Sequence, residues 1–213
     1  MQEDEDRQDS TLDIQAAGLT QAQRQELLTL ARTTIDAFLT TGELPVFISS
    51  DPVLQRCAGV FVTIRSKPEA GEPSAHDTLE ALGRLRGCIG HVAADLPLFQ
   101  VAPEMAVAAA IHDFRFAPLT AGELPHVSLE ISILSPMRPV ADLEEIEIGR
   151  DGLLISGGGR RGLLLPQVPV AMGWDRLQFV QNLCRKAGLP ADYWQKGQAT
   201  LYSFTTLAFS EEQ

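Results

Sequence analysis

The stretch Arg84-Leu85-Arg86-Gly87-Cys88-Ile89-Gly90 sets a thiol between two glycines and two residues after an arginine. If the segment is extended, Arg86, Cys88 and Gly90 share one face and Leu85, Gly87 and Ile89 the other. Glycine weakens a strand interior, so two of them beside one cysteine point to a bulge or to a backbone that another group approaches closely. A cysteine exposed near a guanidinium has a depressed pKa and is a better nucleophile or ligand than an ordinary thiol. The same residues also suit a plainer role, with Cys88 a small buried hydrophobe and Gly87 and Gly90 serving packing.

Other polar residues fall where a core would reject them. His112-Asp113-Phe114-Arg115-Phe116 comes at the end of an apolar run. There Asp113 can hydrogen-bond nearby backbone or pair with Arg115, while Phe114 and Phe116 read as core anchors. In Val127-Ser128-Leu129-Glu130-Ile131-Ser132-Ile133 the apolar residues alternate with polar ones. A buried Glu130 needs a cationic partner, which Arg86 or Arg115 could supply; alternatively Ser128, Glu130 and Ser132 face water on a half-covered sheet. The candidate site is therefore Cys88 as the reacting group, with Arg86, Gly87, Gly90, Asp113, Arg115 and Glu130 around a small substrate.

Cys88, His91, His112 and Asp113 are legitimate metal-ligand types, but a site needs three or four of them to converge, and His91 falls on the face opposite Cys88. No metal or cofactor is assigned. Gly157-Gly158-Gly159-Arg160-Arg161-Gly162 reads as a hairpin connection rather than an anion nest, and it is no Walker loop, because no Lys-Ser or Lys-Thr follows. Gly-x-Ser-x-Gly, Gly-x-Gly-x-x-Gly and His-Glu-x-x-His are all missing, which disfavours serine hydrolase, dinucleotide and zincin chemistry.

Leu85-Arg86-Gly87-Cys88-Ile89-Gly90 resembles the signature of the AMMECR domain family, whose bacterial and archaeal members are called AmmeMemoRadiSam system protein A. The similarity runs from about Leu27 to Phe209. It takes in Phe61-Val62-Thr63-Ile64, Ala108-Ala109-Ala110, His112 to Phe116, Leu129 to Leu134 and Asp151-Gly152-Leu153. It continues through Leu164-Leu165-Pro166-Gln167-Val168, Gly173-Trp174-Asp175, Leu183 to Leu189 and Trp194, in that order. His91 stands where the family has Thr, and Phe114 where Pro is common. The resemblance implies two unequal lobes with mainly antiparallel strands. It also implies genomic company with a Memo-like protein and a radical S-adenosylmethionine protein, hence a modification or redox pathway. This chain lacks the Cys-x-x-x-Cys-x-x-Cys motif of a radical enzyme and is not that component. Two classes remain open: an enzyme or enzyme subunit acting through Cys88, or a non-catalytic interaction module whose signature segment is a docking surface.

Composition bounds the rest. The chain has 213 residues and a net charge of −11, which argues against nucleic acid as a partner. No run of apolar residues reaches membrane-spanning length. Met1-Gln2-Glu3-Asp4 is acidic where a signal peptide is basic, and Cys57, Cys88 and Cys184 are scattered, so a cytoplasmic protein with reduced thiols is expected. Residues 1–18 are expected to form a disordered acidic tail. Residues 19–213 form the two-lobed domain, its smaller β-meander lobe coming largely from about 140–170.

The elements expected are α+β: a mainly antiparallel sheet with flanking helices plus a smaller β-rich lobe. Thr20 with Gln23 is a capping-box pattern that opens a helix ending at Gly42. Residues 57–65 read as a strand and 66–80 as an exposed loop. Asp95 with Pro97 starts a helix to about His112, kinked near Pro103. Residues 127–134 are a strand, and 146–168 a meander with turns at Gly149–Gly152 and Gly157–Gly162. Trp174-Asp175 opens a helix closing at Gly188, and one last strand covers 199–209.

Overall fold

A computed structural model describes residues 18–67 and 84–211. The expected acidic tail and most of the expected loop at 66–80 lie outside the described residues. The chain divides into two compact units: one takes described residues up to 135 and from 207 onward, the other Pro136–Thr206. The architecture is α+β, with two antiparallel four-stranded sheets and four α-helices among the described residues.

In the first unit, helix α1 (Gln21–Thr41) begins with the capping box: Thr20 Oγ1 accepts from the Gln23 amide at 3.2 Å, and the Gln23 side chain accepts from the Thr20 amide at 2.9 Å. It ends at Gly42. Strands β1 (Val60–Ser66), β2 (Leu85–His91), β3 (Val127–Leu134) and β8 (Thr206–Ser210) form a sheet in the order β2-β1-β3-β8. Val60, Val62 and Ile64 of β1 and Leu129, Ile131 and Ile133 of β3 point to one face and are buried, as the period-two pattern requires. Helix α2 (Leu98–Ile111) packs on α1, β1 and β2. It is apolar nearly all round, the mark of a helix at the centre of a core. Its N-cap is Pro97 with no side-chain cap; Asp95, expected to start it, instead meets His91 Nε2 at 2.6 Å.

The opposite face of this sheet corrects one of the two readings offered above. Ser128 and Ser132 are buried, with Thr63 and Arg65 beside them. The polar side of β3 therefore does not face water. At the far edge, Arg32 donates to the carbonyls of Leu124 and Val127, both at 2.9 Å, and pairs with Glu211. Glu211 also accepts from the Leu129 amide at 2.9 Å. One ion pair thus fastens α1 and the residue after β8 to β3.

In the second unit, β4 (Arg138–Pro139), β5 (Gly152–Gly157), β6 (Arg160–Leu164) and β7 (Ala199–Phe204) form a sheet in the order β4-β7-β5-β6. This is a hairpin flanked by a later strand rather than a meander. The segment before it is a turn, in which Asp151 accepts from the Glu147 amide at 2.8 Å. Gly158 and Gly159, at φ 58° and 70°, form the two-residue link from β5 to β6, a backbone that residues with a Cβ adopt reluctantly. The short helix α3 (Gln167–Met172) leads to α4 (Arg176–Lys186), which Asp175 and Gln178 open with another capping box. Phe179, Val180, Leu183 and Cys184 of α4 enter the core with Leu153 and Ile155 of β5. The single strand expected over 199–209 is two: the chain breaks at Thr205, leaving one sheet and joining the other.

Candidate functional site

The two glycines of the signature mark close approaches. A Cβ on Gly87 would lie 2.1 Å from the Ala109 carbonyl oxygen, and one on Gly90 would lie 2.3 Å from the Phe61 ring. Strand β2 can therefore sit directly against α2 on one side and beneath an aromatic ring on the other. The pairing with β1 is regular from Val60↔His91 to Ile64↔Gly87, then shifts so that Arg65 faces Leu85 and Arg86 is the extra residue. The expected bulge is there, at Arg86.

Cys88, half-buried, is held through its backbone. Asp113 accepts from the Cys88 amide at 2.8 Å, and Arg115 reaches the Cys88 carbonyl at 3.4 Å. Arg115 also grips Asp113 at 2.6 and 2.8 Å. The Asp113 side chain is 2% exposed and that of Arg115 40%, so a buried carboxylate is neutralised by a cation whose other edge meets solvent. The Arg115 hydrogen bonds hold the Asp113 carboxyl down to about 2, against the opposing effect of burial. In return Asp113 raises the pKa of Arg115, and the nearby Cys88 adds to this. The thiol itself receives a hydrogen bond from Thr63 Oγ1 at 3.4 Å. Thr63 stands opposite both Cys88 and Glu130, so the three form a row on one face of the sheet.

The remaining expected partners lie elsewhere. Arg86 turns to Glu123 at 3.1 Å and donates to the Ala117 carbonyl at 2.6 Å. The bulge takes it out of the alternation that would have set it beside the thiol. Glu130 pairs with neither Arg86 nor Arg115 but with Arg65 Nη1 at 3.2 Å, one register step along β1. Phe114, expected as a core anchor, is 95% exposed, while Phe116 lies under the Arg115 guanidinium at 5.3 Å. His91 is engaged with Asp95, and among the described residues no three His, Cys, Asp or Glu side chains are placed to hold a metal ion. The Gly157–Gly162 segment is the hairpin described above, with Arg160 donating to the Gly188 carbonyl.

The AMMECR1 family model matches residues 28–209. The chain belongs to the AMMECR1 family. A protein of Methanopyrus kandleri is 38% identical over 92% of this chain and 91% of its own length. One from Methanocaldococcus jannaschii is 39% identical, over 85% and 86%. The crystal structure of an uncharacterized protein from Pyrococcus horikoshii superposes with a TM-score of 0.79 at 36% identity, covering 87% of this chain and 90% of that one. No helix among the described residues is long and apolar enough to cross a membrane.

In this AMMECR1-family chain the sequence pattern pointed to Cys88, Asp113 and Arg115, which the fold brings together. It missed Thr63 and Arg65. Polar residues alternating with Val62 and Ile64 were the available signal, since Thr63 and Arg65 sit on the same strand face that carries Cys88 and Glu130 across the sheet.

The three thiols are expected to differ in reactivity. Burial, then the charge of Asp95, pushes the Cys57 thiol up, and burial pushes Cys184 up. Alkylation of the native protein at neutral pH, followed by mass spectrometry, should modify Cys88 first and Cys184 last. Cys88 reacting slowest of the three would remove it as a nucleophile. Thr63→Val should change the Cys88 rate, and Thr63→Ser restore it, if the hydroxyl tunes the thiol.

Proposed function

We propose that this protein is a cytoplasmic component of a modification or redox pathway, acting with a Memo-like protein and a radical S-adenosylmethionine protein. In this reading Cys88 attacks or holds a small substrate in a cleft completed by a partner. The observation that carries it is the double anchoring of Cys88 by Asp113 and Arg115. Strand β2 is an edge of its sheet, so Asp113 and Arg115 satisfy backbone groups that no neighbouring strand takes up, and the same contacts hold the thiol-bearing residue still, as a reacting group requires.

A second reading has its own support. Phe114 is almost wholly exposed between Asp113 and Arg115, and exposed aromatics are enriched among interface anchors. On that reading the signature segment is a docking surface without chemistry of its own.

Affinity capture with the Memo-like and radical proteins of the same cell, using wild type and Cys88→Ser, separates the two. Capture retained with loss of the pathway's product supports chemistry at Cys88. Capture lost with the fold intact supports docking. If neither changes, Cys88 is structural and both readings fail.

A further inference from the structure

Residues 44–48, Leu-Pro-Val-Phe-Ile, follow α1 as a segment without regular secondary structure that joins no sheet. Pro45 and Phe47 are half-buried, while Leu44, Val46 and Ile48 are exposed, Val46 at 91% and Ile48 at 93%. Among the described residues none of the five makes a backbone hydrogen bond to another. The segment has the alternation of a strand and the unsatisfied backbone of an edge, features that proteins ordinarily cover or charge. Between it and α2 lies a cavity of about 340 Å³, lined by residues 44–47 of the segment and by Phe99, Gln100, Pro103 and Glu104 of the helix.

The polar groups of this cavity include acceptors that a cation would satisfy. Pro103 has no N–H to give the Phe99 carbonyl, so that carbonyl lacks its regular helical partner. Among the described residues Glu104 receives one hydrogen bond, from Gln100 at 3.1 Å through Oε1, and none at its other oxygen. The Thr34 hydroxyl is already given to the Leu30 carbonyl at 2.7 Å.

We infer that residues 44–48 and the facing side of α2 bind an extended, basic segment of a partner polypeptide by strand addition. Main-chain hydrogen bonds to 44–48 supply the pairing, with Pro45 offering its carbonyl but no N–H. Apolar side chains on one face of the added strand extend the row of Leu44, Val46 and Ile48. Lys or Arg side chains on its other face reach the Glu104 carboxylate and the Phe99 carbonyl. A second copy of this chain fits less well, because its own 43–48 segment carries Glu43 and no cation.

The test is fluorescence anisotropy with two labelled peptides, Val-Arg-Val-Arg-Val and Val-Glu-Val-Glu-Val, at physiological salt. The basic peptide should bind and the acidic one should not. Glu104→Gln should weaken binding by about tenfold. Val46→Asp should abolish it without changing the melting temperature, although it adds a negative charge. Equal binding of both peptides would overturn the proposal. So would binding of the basic peptide that neither substitution alters, since that is attraction to an acidic protein and no more. Sedimentation showing a wild-type dimer that Val46→Asp dissociates, with no peptide bound, would assign the face to self-association instead.

Discussion

Gly87→Ala is expected to lose about 3 kcal/mol of stability, the upper part of the range for overpacking a closed site. The new methyl would lie 2.1 Å from the Ala109 carbonyl oxygen and 3.0 Å from its carbon. Both are backbone atoms of α2, the helix that packs on α1, β1 and β2, so no side chain can swing aside to make room. Either β2 lifts from the helix or the helix shifts across the sheet, and each disturbs the strand that carries Cys88. For a chain of this size the loss corresponds to a fall in melting temperature on the order of 10 °C. Gly122→Ala is the control, because a Cβ there meets nothing within 4 Å. Circular dichroism melts of both variants decide the matter. Gly87→Ala melting with Gly122→Ala would mean that the approach of β2 to α2 is not tight.

The second large effect is expected at Asp113, and it depends on pH. Its folded carboxyl titrates at about 2 against an ordinary value of 3.8, chiefly because of its hydrogen bonds from Arg115. A carboxyl whose folded pKa is depressed stabilises the protein above its unfolded value and ceases to do so as pH falls through its folded one. The gain, about 2 kcal/mol, is thus complete above about pH 5 and is lost progressively as the pH falls from there through about 2. Asp113→Asn should lose that amount at pH 7, since the amide holds Arg115 only weakly. Wild type and variant should converge in urea melts as the pH is lowered toward 2. A gap that stays constant between pH 7 and pH 2 would show that the loss comes from packing and not from charge.

What the sequence disclosed was chiefly local. Thr20 with Gln23, and Trp174-Asp175 further on, announced helix starts because a cap involves only residues close in the chain. The faces of β1 and β3 were readable because alternation is a property of one strand. Asp113 meeting Arg115 was equally legible, the two being neighbours in the chain. The failures concern partners set by register. Nothing near Glu130 in sequence points to Arg65, which reaches it only because Arg65 and Ser128 face one another across the sheet. Arg86 was misplaced for a related reason: one extra residue in β2 cancels the alternation that had set it beside Cys88. Phe114 is apolar by type but lies outside by position, between two residues turned toward the site. Thr205 breaks what looked like one strand, because each half hydrogen-bonds in a different sheet.

That break at Thr205 bears on how the protein is made. Strand β8 closes the first sheet beside β3, yet it is translated only after all of Pro136–Thr206 has been built. At about 5–20 residues per second, a nascent chain spends several seconds with β1, β2 and β3 complete and their fourth strand still unsynthesised. During that interval β3, rich in Leu, Ile and Val, is a bare sheet edge on the ribosome, the kind of surface on which neighbouring chains polymerise. Arg32 likewise waits for Glu211. Ribosomes stalled before codon 207 should therefore carry a first unit that is protease-sensitive and chaperone-bound, and release of the last strand should be the event that locks it.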